Sequence, residues 1–210
     1  MIKIENIDVY GFEAAIRGAR NPMNSWNLMD SCTNNGEFEI GENDYDLLQR
    51  LTIAGPEHRK WNRMVTVTMD ITAPLYWWKE YDTYKVATVA NSCSTMHKIQ
   101  AKDFDLDDFS CEHLNQSSIH TLKLVIEQLN IARDAFNYSK DKNWWWQMIQ
   151  LLPSSYNQKR TVHLNYEVLG MIYHQRRHHK LDEWHVFCDT IKTLPYSEFI
   201  TREFGDKDDM

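Results

Sequence analysis

From Met64 to Ile71 the side chains alternate without a slip: Val65, Val67, Met69 and Ile71 against Thr66, Thr68 and Asp70. A period of two puts one set on a buried face and the other on the opposite face of a strand. Ala73-Pro74 follow directly. Proline lacks a backbone N–H, and its fixed φ suits the first turn of a helix. An aromatic run, Leu75 to Tyr81, comes next. A core strand feeding straight into a short aromatic helix is therefore the feature around which the rest of the chain has to fold.

Weaker patterns supply the remaining elements. Ile2 to Tyr10 alternates with one slip and ends at Gly11, which predicts an edge or half-buried strand. Phe12 to Asn21 reads as an amphipathic helix stopped by Pro22, Ser25 to Cys32 as a further short helical turn, and Asn34 to Asn43 as loop. Asp44 to Ile53 predicts a helix with Asp44 as its N-cap and Gly55-Pro56 as its stop. Leu114 to Tyr138 and Asp141 to Leu152 predict helices, and Thr161 to Thr193 one long helix with Leu164, Val168, Ile172, Leu181 and Val186 in its apolar stripe. Few strands followed by long helices, without repeats or linkers, predict an α+β fold: a small antiparallel or mixed sheet packed with long helices. Residues 1–204 are expected to form a single domain and residues 205–210 a charged, frayed tail.

Bulk properties restrict the partners. At 210 residues the chain can bury a sizeable core, and its net charge of −7 disfavours nonspecific binding to nucleic acid or anionic membranes. Cys32, Cys93, Cys111 and Cys188 form no C-x-x-C pair, so neither a disulfide framework nor a zinc knuckle is expected. No stretch approaches the ~20 apolar residues that cross a bilayer, and the first residues do not read as a secretory leader, so the expectation is a soluble cytoplasmic protein. Both glycine-rich phosphate devices, G-x-G-x-x-G and G-x-x-x-x-G-K-[ST], are absent. Neither a Rossmann nor a P-loop site is therefore expected.

Three blocks share one frame. Thr72 to His97 holds Ala73-Pro74, Leu75-Tyr76, Glu80, Thr83-Tyr84-Lys85, Thr88, Asn91 and Cys93; His58, Arg63 and Met64 lie upstream; Leu152-Pro153, Asn165 and Arg176 lie downstream. In this frame the chain resembles the flavin-dependent thymidylate synthases (ThyX) over roughly residues 10–190. Glu80 stands at that family's Gln, Thr83-Tyr84-Lys85 at its Arg-His-Arg, Thr88 at its first Ser, Asn91 at its Glu and Cys93 at the Ser beside the nucleotide. His58 matches its first His, with Arg63 at its Glu and Met64 at its second His.

The resemblance implies reductive methylation of dUMP to dTMP, with methylenetetrahydrofolate and NADPH as co-substrates and FAD as hydride carrier, in a homotetramer that builds its sites from several subunits. It implies that Arg176 holds a pyrimidine nucleotide with Glu80, Ser92, Cys93 and Ser94 around it. His58, Lys79, Thr83, Tyr84, Lys85, Asn91 and Asn165 would meet the cofactor. Arg176 and Cys93 are the candidates for the catalytic step. A guanidinium suits the first role because its planar fork makes two parallel bonds. A thiolate at Cys93 could add to a pyrimidine ring.

The chain departs from the pattern where the family is cationic. Met148-Ile149 replace an arginine before Leu-Pro, Glu167 replaces the arginine two residues after Asn165, and Thr95 replaces one after the serine loop. Each charge-assisted phosphate contact contributes about 1.5–3 kcal/mol, so the ligand set is open to change. Arg59, Lys60, Arg63, Lys159, Arg160 and Arg177 are the cations that could compensate. Two alternatives stand beside thymidylate synthesis: an enzyme acting on another pyrimidine nucleotide, and a non-catalytic paralogue, structural or nucleotide-sensing, that has lost flavin.

Other groupings have plainer readings. His174, His178 and Asp182 have helical spacing for metal ligands but lack H-E-x-x-H or a Cys partner, and no metal is expected. Asp103, Asp105, Asp107 and Asp108 lack the glycine and terminal Glu of a calcium loop. Trp77-Trp78 and Trp144 to Trp146 read as core or interface packing, with ring stacking on a ligand as the alternative.

Overall fold

The computed structural model describes residues 2–34 and 36–202, so the tail expected at 205–210 lies outside the described residues. The fold is α+β. Its four-stranded sheet has the order β1-β4-β6-β5, built from β1 (Lys3–Tyr10), β4 (Thr66–Pro74), β5 (Val89–Ser92) and β6 (Asn157–Asn165). The described residues group into two compact units, one of residues 2–5, 70–84 and 90–161, the other of residues 6–34, 36–69, 85–89 and 162–202.

In the first unit β4 ends as its sequence predicts. Ile71 and Ala73 are buried, Pro74 occupies the N-cap, and α3 (Leu75–Tyr81) begins at once. Leu75 and Tyr76 donate their backbone N–H groups to the carbonyls of Tyr156 and Ser154. Trp77 and Trp78 are fully buried, their rings 4.9 Å apart edge to face, and the Trp78 indole N–H donates to the Gln158 carbonyl at 2.9 Å. The alternation of apolar positions thus continues into a helix whose aromatic face closes the core.

Two helices complete this unit, α5 (Gln116–Ser139) and α6 (Lys142–Leu151). Asn115 caps α5 by accepting from the Ser118 N–H at 3.0 Å, and Asp141 caps α6 by accepting from the Asn143 N–H at 2.9 Å. Leu122, Ile126 and Leu129 lie on one face at helical spacing and meet Phe104, Phe109 and Met148. The short α4 (Thr95–Lys98) precedes them. Asp105, in the acidic segment, caps a 3-10 turn at Leu106–Asp108 in a reciprocal capping box.

The second unit holds α1 (Phe12–Arg20), α2 (Glu42–Ile53), 3-10 turns at Asn21–Met23, Trp26–Leu28 and Arg59–Arg63, α7 (Tyr166–Arg176), α8 (Asp182–Lys192) and α9 (Glu198–Thr201). Its core combines Val65, Val67 and Met69 of the β4 segment with Leu164, Leu169, Ile172, Trp184, Phe187 and Ile191. Gly11 before α1 has φ 103°, and a Cβ there would lie 2.2 Å from the Met64 carbonyl oxygen, so only glycine fits.

Three expectations are corrected. The segment read as loop from Asn34 to Asn43 contains part of an antiparallel hairpin, β2 (Cys32–Asn34) paired with β3 (Glu37–Glu39), with Gly36 at φ 88° supplying the left-handed turn residue. Asp44 does not cap its helix: α2 starts at Glu42 and Asp44 is buried inside it. Its carboxylate receives the Arg20 guanidinium (2.6 Å), the Ser31 hydroxyl (2.6 Å) and the backbone N–H groups of Asp30 (3.1 Å) and Ser31 (3.0 Å).

The long helix expected from Thr161 to Thr193 is in fact the end of β6 followed by α7 and α8. Val162 and Leu164 alternate inward, while Thr161 donates to Asp70 at 2.6 Å and His163 Nδ1 lies 2.9 Å from the Thr68 hydroxyl. These strand-to-strand partners override a pattern that local spacing alone reads as helical. Val186, placed in the apolar stripe by that reading, is 44 % exposed.

Candidate functional site

A cleft in the second unit has a volume of about 680 Å³. The 3-10 helix Arg59–Arg63 contributes Arg59, Asn62 and Arg63; Val86 and Ala87 come from the chain after α3; α7 runs along it with Asn165 at its cap and Glu167, Gly170, Met171 and His174 one turn apart; and Phe199 with Ile200 of α9 completes the wall. Ala87 adopts a left-handed φ of 60°.

Local chemistry fixes the wall. Asn165 ends β6, and its side chain accepts from the Val168 N–H at 3.0 Å, which starts α7 in the direction that carries Glu167, Met171 and His174 past the cleft. Gly170 lets α9 approach: a Cβ there would meet the Ile200 carbonyl oxygen at 3.2 Å. Tyr166 donates its hydroxyl to the Pro195 carbonyl, and burial pushes that hydroxyl's pKa well above the ordinary tyrosine value. It remains a neutral donor at any physiological pH.

Among the described residues the cleft lining carries one ion pair, Arg59 with Glu167, and one cation without an ion-pair partner, Arg63. Arg59 Nε lies 3.1 Å from a Glu167 carboxylate oxygen, with both side chains largely buried. Arg63 is exposed, with no ion-pair or hydrogen-bond partner among the described residues. Arg59 and Arg63 were two of the cations singled out as compensation, and Glu167 stands where the resemblance expects arginine. The walls are otherwise mostly apolar: Val86, Val168, Met171, Phe199 and Ile200. A flat ring with one anionic substituent suits such a lining.

Among the residues the resemblance implicates, the second unit carries four. Asn165 lines the cleft; His58 is exposed just before the 3-10 helix; Lys85 is exposed immediately before Val86. Arg176 is half-buried with its guanidinium 5.0 Å from the centre of the Trp184 ring, and the α7 residues that line the cleft are its neighbours His174 and Gln175.

The first unit carries the others. Lys79 is exposed and Glu80 half-buried; the Thr83 hydroxyl donates to the Glu80 carbonyl at 2.7 Å; Tyr84 is buried. Asn91 and Ser92 are exposed on β5, and Cys93 follows with its N–H donated to the Lys159 carbonyl at 2.9 Å and its own carbonyl accepting from the Gln158 amide at 2.8 Å. The Ser94 hydroxyl caps α4 by accepting from the His97 N–H at 3.1 Å. Cys93 is thus an exposed thiol on a backbone pinned at both its N–H and its carbonyl.

Two of the suggested compensating cations in this unit are already engaged. Lys159 lies 3.0 Å from Asp70, and Arg160 lies 2.7 Å from Asp82 with its guanidinium 4.2 Å over the Trp78 ring. In the second unit Arg177 lies 5.7 Å over Tyr173. Trp77 and Trp78 are core residues, whereas Trp144 and Trp146 are 39 % and 42 % exposed.

Asn62, Val86, Met171 and Phe199 were not singled out from the sequence. Helical spacing of Glu167, Met171 and His174 was the available signal for the α7 face. Nothing local marks Asn62 or Val86, because the pairing of their segments with α7 is tertiary.

No protein-family model matches the chain, and no curated protein is similar to it in sequence. Solved structures do share its fold. The chain is similar to thymidylate synthase X from Helicobacter pylori, solved with FAD and dUMP, with a TM-score of 0.69 at 15% identity over 97% of this chain and 98% of that one. A second structure of that enzyme, also with FAD and dUMP, gives 0.66 at 15% identity over 95% and 98%. The UMP/dUMP methylase PolB from Streptomyces cacaoi, bound with 5-Br dUMP, gives 0.64 at 14% identity over 92% and 89%. The fold is that of ThyX. Likeness of backbone at this identity leaves the side-chain chemistry to be argued from the chain itself. None of the described helices is long and apolar enough to cross a membrane.

Proposed function

We propose that the protein is a ThyX-like enzyme that modifies a pyrimidine nucleotide, and in the finer reading a flavin-dependent thymidylate synthase. It would transfer the methylene of methylenetetrahydrofolate to C5 of dUMP, with NADPH as reductant, as a cytoplasmic homotetramer of one ThyX-like domain. The observation that supports this most is the whole-chain agreement of fold with enzymes solved with dUMP or its analogue. The cleft adds to it, because its apolar walls and the exposed Arg63 fit a planar ring with an anionic group.

FAD, when bound, supplies a ring that carries hydride. Toward such a group the chain offers Asn62 and Arg63 as hydrogen-bonding and charged contacts, Asn165 to fix the start of α7, and Val168, Met171 and Phe199 as apolar walls that exclude water. Arg59 is held in place by Glu167 and so lines the wall with its charge already paired. The roles given to Arg176, Glu80, Ser92, Cys93 and Ser94 at the nucleotide, and to His58, Lys79, Thr83, Tyr84, Lys85 and Asn91 at the cofactor, belong to the same proposal.

Tritium release from C5-labelled dUMP, with FAD, NADPH and methylenetetrahydrofolate present, tests it. Release above a protein-free control supports thymidylate synthesis. Release only from labelled UMP or dCMP favours the other pyrimidine-nucleotide enzyme, for which a methylase acting on UMP and dUMP is a structural precedent. No release from any of the three, with stable oligomers that bind no flavin, favours a non-catalytic paralogue; the Arg59–Glu167 pair, which neutralises a cation in the cleft, is the feature on its side.

A further inference from the structure

The 3-10 helix Arg59–Arg63 brings to the cleft a polar group that the protein itself does not satisfy. Asn62 is 2 % exposed, and its buried carboxamide oxygen has no hydrogen-bond partner among the described residues. Arg63, the next residue, is exposed and likewise without a partner there. A buried amide oxygen left unpaired destabilises a folded chain, and nearly all such groups in native proteins have partners. In the same unit Asp44 and Asn165 are both paired, while the Trp61 indole N–H on the same 3-10 helix is also buried without a partner among the described residues; of these two orphans only Asn62 lines the cleft. An orphan amide in the wall of a cleft therefore points to a partner supplied by a ligand.

The geometry of the group says what that partner is. A carboxamide presents one acceptor and one donor side by side, whichever way round its oxygen and nitrogen are placed. Its complement is an adjacent carbonyl and N–H on the edge of a ring. Val86, Val168, Met171 and Phe199 line the same cleft and offer apolar surface for the flat body of such a ring, and Arg63, also in its lining, offers a cation for a phosphate or carboxylate attached to it.

We propose that Asn62 is the specificity-determining residue of this cleft, pairing with the adjacent carbonyl and N–H on the edge of a planar heterocycle whose anionic group is held by Arg63. The proposal rests on reading the cleft as part of a nucleotide-modifying site. It goes beyond that reading by naming which residue reads the ring and which atoms it reads. Uracil and flavin rings share this edge, so the test carries one arm for each.

Calorimetric titration of the full-length protein with dUMP and with FAD, each beside its N3-methylated counterpart, decides it. The wild type is expected to bind at least one parent compound at least about tenfold more tightly than the methylated form, which blocks the N–H. Asn62→Ala is expected to erase that difference, with Asn62→Ser taking its place if circular dichroism shows the alanine variant unfolded. Arg63→Ala is expected to weaken the parent and methylated compounds equally. Binding by the wild type without discrimination, or discrimination that survives both Asn62 variants, overturns the inference and leaves the nucleotide-modifying reading standing. A wild type that binds neither dUMP nor FAD overturns both.

Discussion

Removing the Asp44 carboxylate is the sharpest perturbation of the second unit. Asp44 is fully buried, as is Arg20, whose Nε and Nη2 both lie 2.6 Å from one carboxylate oxygen, while the other oxygen gathers Asp30 and Ser31 onto the start of α2. Asp44→Ala leaves a buried guanidinium without its counter-charge, a loss of about 3–5 kcal/mol. Against a typical total of about 5–15 kcal/mol this is a large fraction. With a urea m-value of ~3 kcal/mol/M for a chain of this size, the midpoint should fall by about 1–2 M. Replacing both partners, Arg20→Met with Asp44→Leu, should recover most of the loss, because no buried charge then lacks a partner.

The same pair sets a pH dependence. Burial alone pushes the Asp44 carboxyl up, but the Ser31 hydroxyl, Arg20 and the backbone N–H groups of Ser31 and Asp30 outweigh it and hold the pKa below the ordinary value of 3.8. A carboxyl whose folded pKa is lowered adds stability above its unfolded pKa and loses it as pH falls through the folded value. Wild type should therefore lose stability below about pH 4 more steeply than Asp44→Asn. A urea midpoint for Asp44→Ala within about 0.3 M of wild type, or equal acid slopes for wild type and Asp44→Asn, would refute the reasoning.

Gly11→Ala should destabilise by more than about 1 kcal/mol in urea unfolding, since its Cβ would collide with the Met64 carbonyl at a positive φ. Asn165→Ala removes the cap of α7 and should cost about 1 kcal/mol in the same assay. Glu167→Gln removes a negative charge from the cleft lining and should tighten binding of an anionic nucleotide or flavin by about tenfold in a calorimetric titration. In a thiol titration near neutral pH, exposed Cys32 and Cys93 should react quickly, whereas Cys188, buried and with its thiol pushed up to about 11, should react only on unfolding.

How far the sequence reaches depends on whether a pattern is local. The β4 strand, the Pro74 junction and α3 were legible because alternation, a fixed φ and an aromatic run act within a dozen residues. The helices expected from Leu114 and from Asp141 were legible for the same reason, and each begins within two residues of its expected start, with Asn115 and Asp141 as the caps. Asp44 misled because a carboxylate near a helix start looks the same whether it caps or pairs with an arginine on another helix. The stretch from Thr161 to Asn165 misled because its strand partners, Thr68 and Asp70, are distant in sequence.

At the candidate site, Asn165 and the cations Arg59 and Arg63 could be pointed to from the chain alone. Asn62 could not, since an orphan amide is visible only once its surroundings are known. Arg176 shows the converse: its place in the frame suggested a ligand, and the structure sets its guanidinium over Trp184. A cation over a ring is already partly satisfied, so a nucleotide would have to compete with that contact.

The central question for this protein is whether the cleft beside α7 takes a flavin or a pyrimidine nucleotide. Quenching of FAD fluorescence on titration with wild-type protein, repeated with dUMP as competitor and with Met171→Trp, which fills the cleft from the α7 face, tests this most directly. Saturable quenching or dUMP-dependent quenching that is lost in Met171→Trp is the predicted result. No quenching under either condition, or quenching untouched when the cleft is filled, contradicts it.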